Sequence, residues 1–190
     1  MPTRRLNGDF LTNKEVSELG FLSVGERVSI SRHSVIIGCE NIKIGNHVRI
    51  DPFTVIVANE GYLKLGSYIH IAGGCHLSCI GGISMADFSG LAHGVKLYSG
   101  SDIYDGSVLT NPTVPKRLTN IEIGNINLGR HVIVGCNSVI MPNITLNDGV
   151  SVGAMSFVRK DLDAWCIYSG TPLRKVGSRS KKLLELEKLV

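Results

Sequence analysis

The stretch Ile44 to Gly66, IGNHVRIDPFTVIVANEGYLKLG, decides the fold. Within it Ile44, Ile50 and Ile56 stand six residues apart, and the pair of an aliphatic and a small residue that opens it, Ile44-Gly45, returns at Leu65-Gly66. The same pairing recurs at Val24-Gly25, Met85-Ala86, Ile123-Gly124, Leu128-Gly129 and Val152-Gly153. Intermediate six-residue steps fall at Ile30, Ile36, Ile71, Leu77, Leu91 and Leu97, and later at Ile133, Val139, Ile144 and Leu146. A six-residue unit with one inward aliphatic and a tight corner forms one side of a triangle. Three units then complete a coil, and stacked coils make an all-β fold, a parallel β-helix.

Stacking is required because one coil cannot bury its own inward side chains. Each coil pairs its backbone with the coils about 4.8 Å above and below it. Each inward Ile, Leu or Val contributes roughly 1.5 to 3 kcal/mol on burial, which offsets the ordering of the backbone. Gly25, Gly45, Gly66 and Ala86 permit the sharp corners. Intervals of 20 or 21 residues in place of 18 predict extra residues at one corner, near 39–41, 59–61 and 80–82.

The rest of the chain frames this stack as a single domain, 1–190. Residues 10–20 read as a short helix capping its lower end, with Thr12 and Glu15 as a capping box and Gly20 as the stop. Coils are expected over 21–98 and 121–160. Between them, 99–120 carries Pro112 and Pro115 and no apolar alternation, which predicts a long, ordered, protruding loop with a functional role. Residues 178–190 read as a C-terminal helix packing through Leu183, Leu186 and Val190.

Composition narrows the partners. A formal charge of +4 without a dense Lys/Arg stripe interleaved with aromatics suits anionic small molecules and argues against nucleic acid. No apolar run reaches the roughly 20 residues of a membrane span. The opening MPTRRLNGDF lacks the apolar core of an export signal, so a cytoplasmic location is expected. The five cysteines are expected as reduced thiols, because an intervening coil holds the corner residues Cys39 and Cys79 about 10 Å apart, beyond disulfide reach.

Six histidines are the natural candidates for proton transfer near neutral pH. Register separates them. His33, His47 and His131 take the fourth place of their hexads and are expected to face solvent. His70 is the last residue before inward Ile71, so it projects from a flat face. Arg49 occupies the same column one coil earlier, and a neighbouring cation would favour the neutral, proton-accepting imidazole. His93 lies near a corner, and His76 shares a column with Lys96 as groove lining. Asp102, at the loop entry, is a second candidate, either as a weak base or as counter-ion to an amine. His70 and His76 lie on consecutive faces of one coil and cannot chelate one ion within a chain, and Cys75 points to the core, so no metal is expected.

The coil register, the long loop, LGRHVIVGCNSVIMPNITLNDGVSVGAMSFVRKD (128–161) and WCIYSGTPLRKV (165–176) together resemble the left-handed β-helix, or hexapeptide-repeat, acetyltransferases. GFLSVGERVSI, IGNHVRID, DFSGLAHGVKLYSGSD and LTNPTVP are similar to enzymes acetylating amino-deoxy nucleotide sugars for surface polysaccharides, including the dTDP-4-amino-4,6-dideoxyglucose N-acetyltransferases. The resemblance implies a homotrimer with acetyl-CoA lying between neighbouring β-helices. It places the pantetheine beside Gly135, Cys136, Gly153 and Ala154, and the phosphates of the coenzyme at Arg159, Lys160 and Arg174, with Lys175 nearby. Substrate contacts are expected from Arg49, Tyr98, Ser101 and Tyr104. Galactoside acetyltransferases carry a catalytic histidine at the start of the loop, where this chain reads Tyr98-Ser99-Gly100-Ser101-Asp102 with no histidine. Trp165 is expected as a lid over the last coil in preference to an adenine platform. The alternatives are a sugar O-acetyltransferase, a metal-dependent hydratase resembling the β-helix carbonic anhydrases, and a catalytically silent scaffold.

Overall fold

Residues 9–190 are described by the structure, a computed structural model. The opening segment whose composition argues against export lies outside them, up to residue 8. Ile30, Ile50, Ile71, Leu91, Val134 and Val152 line one inner wall, and Ile56, Leu77, Leu97, Ile140 and Val158 a second, all buried. Paired aliphatics such as Ile42 with Ile44, Leu63 with Leu65 and Ile126 with Leu128 fill the third. The hexad therefore buries more than the single aliphatic of the sequence pattern: its fifth place, at Val28, Val48, Ile69, Val132 and Val150, also points inward.

Three parallel sheets enclose this column in a left-handed β-helix of about seven turns. Face 1 runs from Ser23–Val24 to Ile144–Leu146 in six strands. Face 2 begins at Ser29–Ile30 and includes Arg49–Ile50, His70–Ile71, Gly90–Leu91 and Ile133–Val134. Face 3 runs from Val35–Ile37 through His76–Ser78 and Lys96–Tyr98 to Phe157–Val158. Strands one coil apart pair in register, so Arg49, His70, Gly90 and Ile133 form one outward column of face 2. The extra corner residues appear where the 20-residue interval predicts them, one being the turn Cys39–Asn41. All five cysteines are free.

Three boundaries differ from the sequence expectation. Ile123-Gly124 is not a coil corner: Ile121–Ile123 pairs antiparallel with Gly100–Asp102 and forms the base of the loop, and the coils resume at Ile126–Leu128. In the later coils Val134 and Ile140 point inward, while Ile133 faces outward and Val139 is only half-buried, one residue out of the assumed step. The stack also continues past residue 160, to Cys166–Ser169, and the antiparallel strand Arg174–Ser178 closes its edge.

Both ends are capped. The capping box of Thr12 and Glu15 opens the helix Asn13–Glu18, whose Val16 closes the lower end of the core. Above, only Leu183–Leu186 and the turn Glu187–Leu189 are helical, and Leu186 and Val190 are exposed, so the expected packing stripe is not one. Polar contacts hold this segment instead: Glu187 accepts hydrogen bonds from Arg130 and His131, and Arg179 donates to the His131, Gly149 and Val150 carbonyls. His131 is accordingly buried, at 7% exposure, and not at the solvent face its hexad place suggests.

Candidate active site

The corner between faces 2 and 3 carries the first cluster. His70 stands outward on face 2, and its Nε2 lies 2.8 Å from Oδ2 of Asp51, the corner residue one coil below. Arg49 donates through Nε to the other oxygen, Oδ1, at 2.7 Å. Burial by itself would raise the Asp51 carboxyl, but the hydrogen bonds from His70 and Arg49 outweigh it and hold the group below the ordinary carboxylate range. The expected direct pairing of His70 with the Arg49 cation is thus corrected, since Asp51 stands between them and takes the Arg49 charge. Gly73 separates this cluster from His93: a Cβ at Gly73 would stand 3.8 Å from His93 Cδ2 and 4.0 Å from Asp51 Cβ. One coil above His70, Gly90 offers no side chain, and the next group in the column is Ile133. The Ile133 side chain leans over the gap, its Cδ1 3.5 Å from where a Cβ on Gly90 would stand.

A second cluster lies at the loop base, at the corner between faces 3 and 1. Asp102 and Glu60 line a cavity of about 440 Å³ with Ile80, Asn111, Pro112 and Lys116. Ser101 joins Asp102 along an adjoining cavity of about 500 Å³ that reaches Ser78 and Val57. Tyr98 packs its ring 5.6 Å from that of His76, whose imidazole is pushed down by burial and by Lys96. Tyr104 is exposed on the loop. Among the described residues nothing within one chain joins Asp102 to His70: His70, Arg49 and His93 lie about the corner between faces 2 and 3, Ser101 and Asp102 share the loop-base cavity, and Tyr98 sits apart from both with His76 on face 3.

The third cluster crowns face 3. Arg159 and Lys160 line a cavity of about 430 Å³ with Phe157, Thr171, Pro172 and Leu173. Arg174 begins the adjacent closing strand, opposite Ser169. Cations around an apolar floor suit a phosphorylated, partly apolar ligand. Below them, Gly135 and Cys136 sit at the corner between faces 2 and 3, with Gly153 and Ala154 one coil higher. A Cβ on Gly135 would come within 2.5 Å of the Ala154 nitrogen, so the missing side chain is demanded by coil stacking itself.

A dTDP-4-amino-4,6-dideoxy-D-glucose acyltransferase of Escherichia coli is 42% identical to this chain over 178 residues, covering 94% of the chain and 93% of its own length. The chain belongs to the hexapeptide-repeat acyltransferases. Within that group, AntD, an N-acyltransferase from Bacillus cereus solved with dTDP and 3-hydroxybutyryl-CoA, superposes with a TM-score of 0.91 at 41% identity over 95% of each chain. A variant of AntD holding dTDP-4-amino-4,6-dideoxyglucose and coenzyme A gives 0.92 at 41% identity, over 95% of this chain and 96% of its own. A maltose O-acetyltransferase from Clostridium difficile 630, at 17% identity and a TM-score of 0.54, shares the fold alone. No family model matches the chain.

In this acyltransferase the outward direction of His70 was legible in the sequence, whereas Asp51, which contacts it, and Glu60, which lines the cavity with Asp102, were not among the candidates. Asp51 was legible only as the residue after inward Ile50, a corner place that elsewhere in the stack holds Ser31 and Ala72. Trp165 packs over Gly149, where a Cβ would meet its ring at 2.5 Å, and lies under the Lys181 ammonium, in keeping with the expected lid. Among the described residues no group of three His, Cys, Asp or Glu side chains could hold a metal ion, and no helix is long and apolar enough to cross a membrane.

Proposed function

We propose that this acyltransferase moves an acetyl group from acetyl-CoA to the 4-amino group of a dTDP-linked 4-amino-4,6-dideoxy sugar. Near full-length similarity to a solved enzyme that holds that sugar nucleotide and coenzyme A carries the reading. The amine lone pair attacks the thioester carbon, the C–N bond forms and the C–S bond breaks. His70 takes the proton released by the nitrogen and the coenzyme leaves as thiol. A positioned base of this kind contributes roughly 10² to 10⁴ in rate. Asp102 serves as counter-ion to the incoming ammonium, which gives up one proton to solvent before its lone pair attacks, Tyr98, Ser101, Tyr104 and Arg49 contact the sugar nucleotide, and His93 lines the groove beside the base. Gly135, Cys136, Gly153 and Ala154 flank the pantetheine, with Arg159, Lys160 and Arg174 on the phosphates.

Two observations support the reading of a homotrimer. Val35 and Ile37, at 52% and 47% exposure, and Phe53, at 74%, leave an apolar patch on lower face 3 and its corner that a second copy would cover. His70 and Asp102 stand on different faces, so a site that uses both needs two chains. We place the reaction in the cytoplasm, supplying a modified sugar for surface polysaccharide such as O-antigen.

The test is a panel of dTDP-, UDP- and GDP-linked amino sugars with acetyl-CoA, following free thiol, with sedimentation for the assembly. Turnover only with a dTDP-4-amino sugar, by a trimer, is the expected result. Acetylation of a hydroxyl in sugars lacking the amine would overturn the choice of nitrogen, and a monomer with full activity would overturn the shared site.

A further inference from the structure

We infer that Asp51 is the positioning residue of the reaction, holding the His70 imidazole in the tautomer that can accept a proton. This rests on the reading of His70 as base. An ionised carboxylate only accepts, so the 2.8 Å contact to Oδ2 requires the hydrogen on Nε2 and leaves the lone pair on Nδ1. Among the described residues Nδ1 has no partner within the chain, and it is the atom left to take the amine's proton.

The carboxylate is built to stay in place. Its side chain is 12% exposed, and its second oxygen is held by Arg49. Its backbone nitrogen donates to the Ile71 carbonyl one coil above, and its own carbonyl accepts from the Ser34 hydroxyl of the coil below. Pro52 follows and restricts the corner further. The Arg49 guanidinium is braced in turn, 5.0 Å from the Phe10 ring centroid. When the proton reaches Nδ1, the adjacent Asp51 charge stabilises the imidazolium until the departing thiolate takes that proton. The charged and titratable groups around the ring are Asp51 and Arg49 on the coil below and His93 across the Gly73 corner. The strand above presents Gly90 and no side chain, and Ser29 lies beneath Arg49.

The experiment combines ring ¹⁵N spectra of the intact enzyme with kinetics of Asp51→Asn, Asp51→Glu and His70→Asn. The His70 signals, assigned by their loss in His70→Asn, should report hydrogen on Nε2 in the wild type, a measurement that needs no Asp51 variant to fold. Asp51→Asn should lower turnover on the order of 10²-fold or more. It should leave the KM for acetyl-CoA within about twofold and move the acid limb of the pH-rate profile to lower pH, since the imidazolium loses its counter-charge. Asp51→Glu should restore part of the rate. Hydrogen on Nδ1 in the wild type, or wild-type turnover and an unmoved pH profile in Asp51→Asn, would overturn the positioning role. Full turnover in His70→Asn would instead sink the base assignment itself.

Discussion

Two edges of the same prism are turned by residues in the same left-handed backbone conformation, and they are furnished in opposite ways. At the edge between faces 1 and 2, His47, Tyr68, Phe88 and His131 all have φ between 56° and 59°, and their rings stack coil upon coil with centroids 4.5, 4.8 and 5.1 Å apart. Trp165 tops the column at 6.4 Å from His131. At the edge between faces 2 and 3 the corresponding places are Phe53, Gly74, Gly94, Asn137 and Met155. The ring is missing in the two coils that carry His70 and His93. Left-handed backbone costs a non-glycine residue roughly 1 to 2 kcal/mol, and stacked rings return about 0.5 to 1.5 kcal/mol per pair. One edge accepts that strain and fills it with packing. The other relieves it with glycine in two coils, where the space over Gly74 stays open and the Asn137 side chain fills the place a Cβ on Gly94 would take.

The sharpest way to break this contrast is chemical. Replacing His70 by Asn removes the proposed proton acceptor together with its contact to Asp51, so turnover should fall roughly 10² to 10⁴-fold with thermal unfolding little changed and coenzyme affinity unchanged. Wild-type turnover would strip the open edge of its catalytic role. Filling that edge is the next test. Gly74→Phe copies onto it the ring that Phe53 and Phe88 carry in the same conformation, and should leave the fold intact while lowering kcat/KM on the order of 10²-fold by displacing the acceptor from His70. Unchanged kinetics would show that the space beside Gly74 is not used.

The contrast also explains what was readable in the chain. Inward aliphatics repeat because every coil needs them, so Ile50, Ile71 and Leu91 announced the fold and its faces. The register failed where that demand is satisfied twice over. In the later coils Ile133 and Val139 sit beside Val134 and Ile140, all four aliphatic, and nothing local says which of each pair turns inward. Ile123 failed for the converse reason, since an aliphatic followed by glycine also closes a two-stranded ribbon. The outward direction of His70 was readable because its place before inward Ile71 fixes it. Asp51 was not, because a corner residue has no periodic direction until the coil above is in place. His131 shares its hexad place with exposed His33, and only the C-terminal segment, distant in sequence, buries it.

Emptying the filled edge gives a smaller effect of the opposite kind. Phe88→Ala removes the ring between Tyr68 and His131 and the surface over which Arg130 lies at 5.4 Å. Two lost ring pairs amount to about 2 kcal/mol. Thermal unfolding should drop by several degrees while kcat and KM stay at their wild-type values. A loss of turnover without loss of stability would mean that the two edges are not separable.

The smallest effect is expected from Glu187, which ties the C-terminal segment to the top of the ladder through His131 at 2.7 Å and Arg130 at 3.0 Å. Burial alone would raise its carboxyl, but the hydrogen bonds from His131 and Arg130 dominate and hold it below the 4.5 of an unperturbed glutamate. A carboxyl depressed in the folded state contributes stability that is fully present above its unfolded pKa and is lost as the pH falls through the folded one. Glu187→Gln should therefore lower the unfolding temperature slightly at neutral pH, and the gap to the wild type should close as acid protonates the native carboxylate. Added salt should narrow the same gap at pH 7, because part of the attraction is screened. Turnover should not change under either condition. A gap that persists in acid would trace the anchoring to the fit of the side chain and not to its charge.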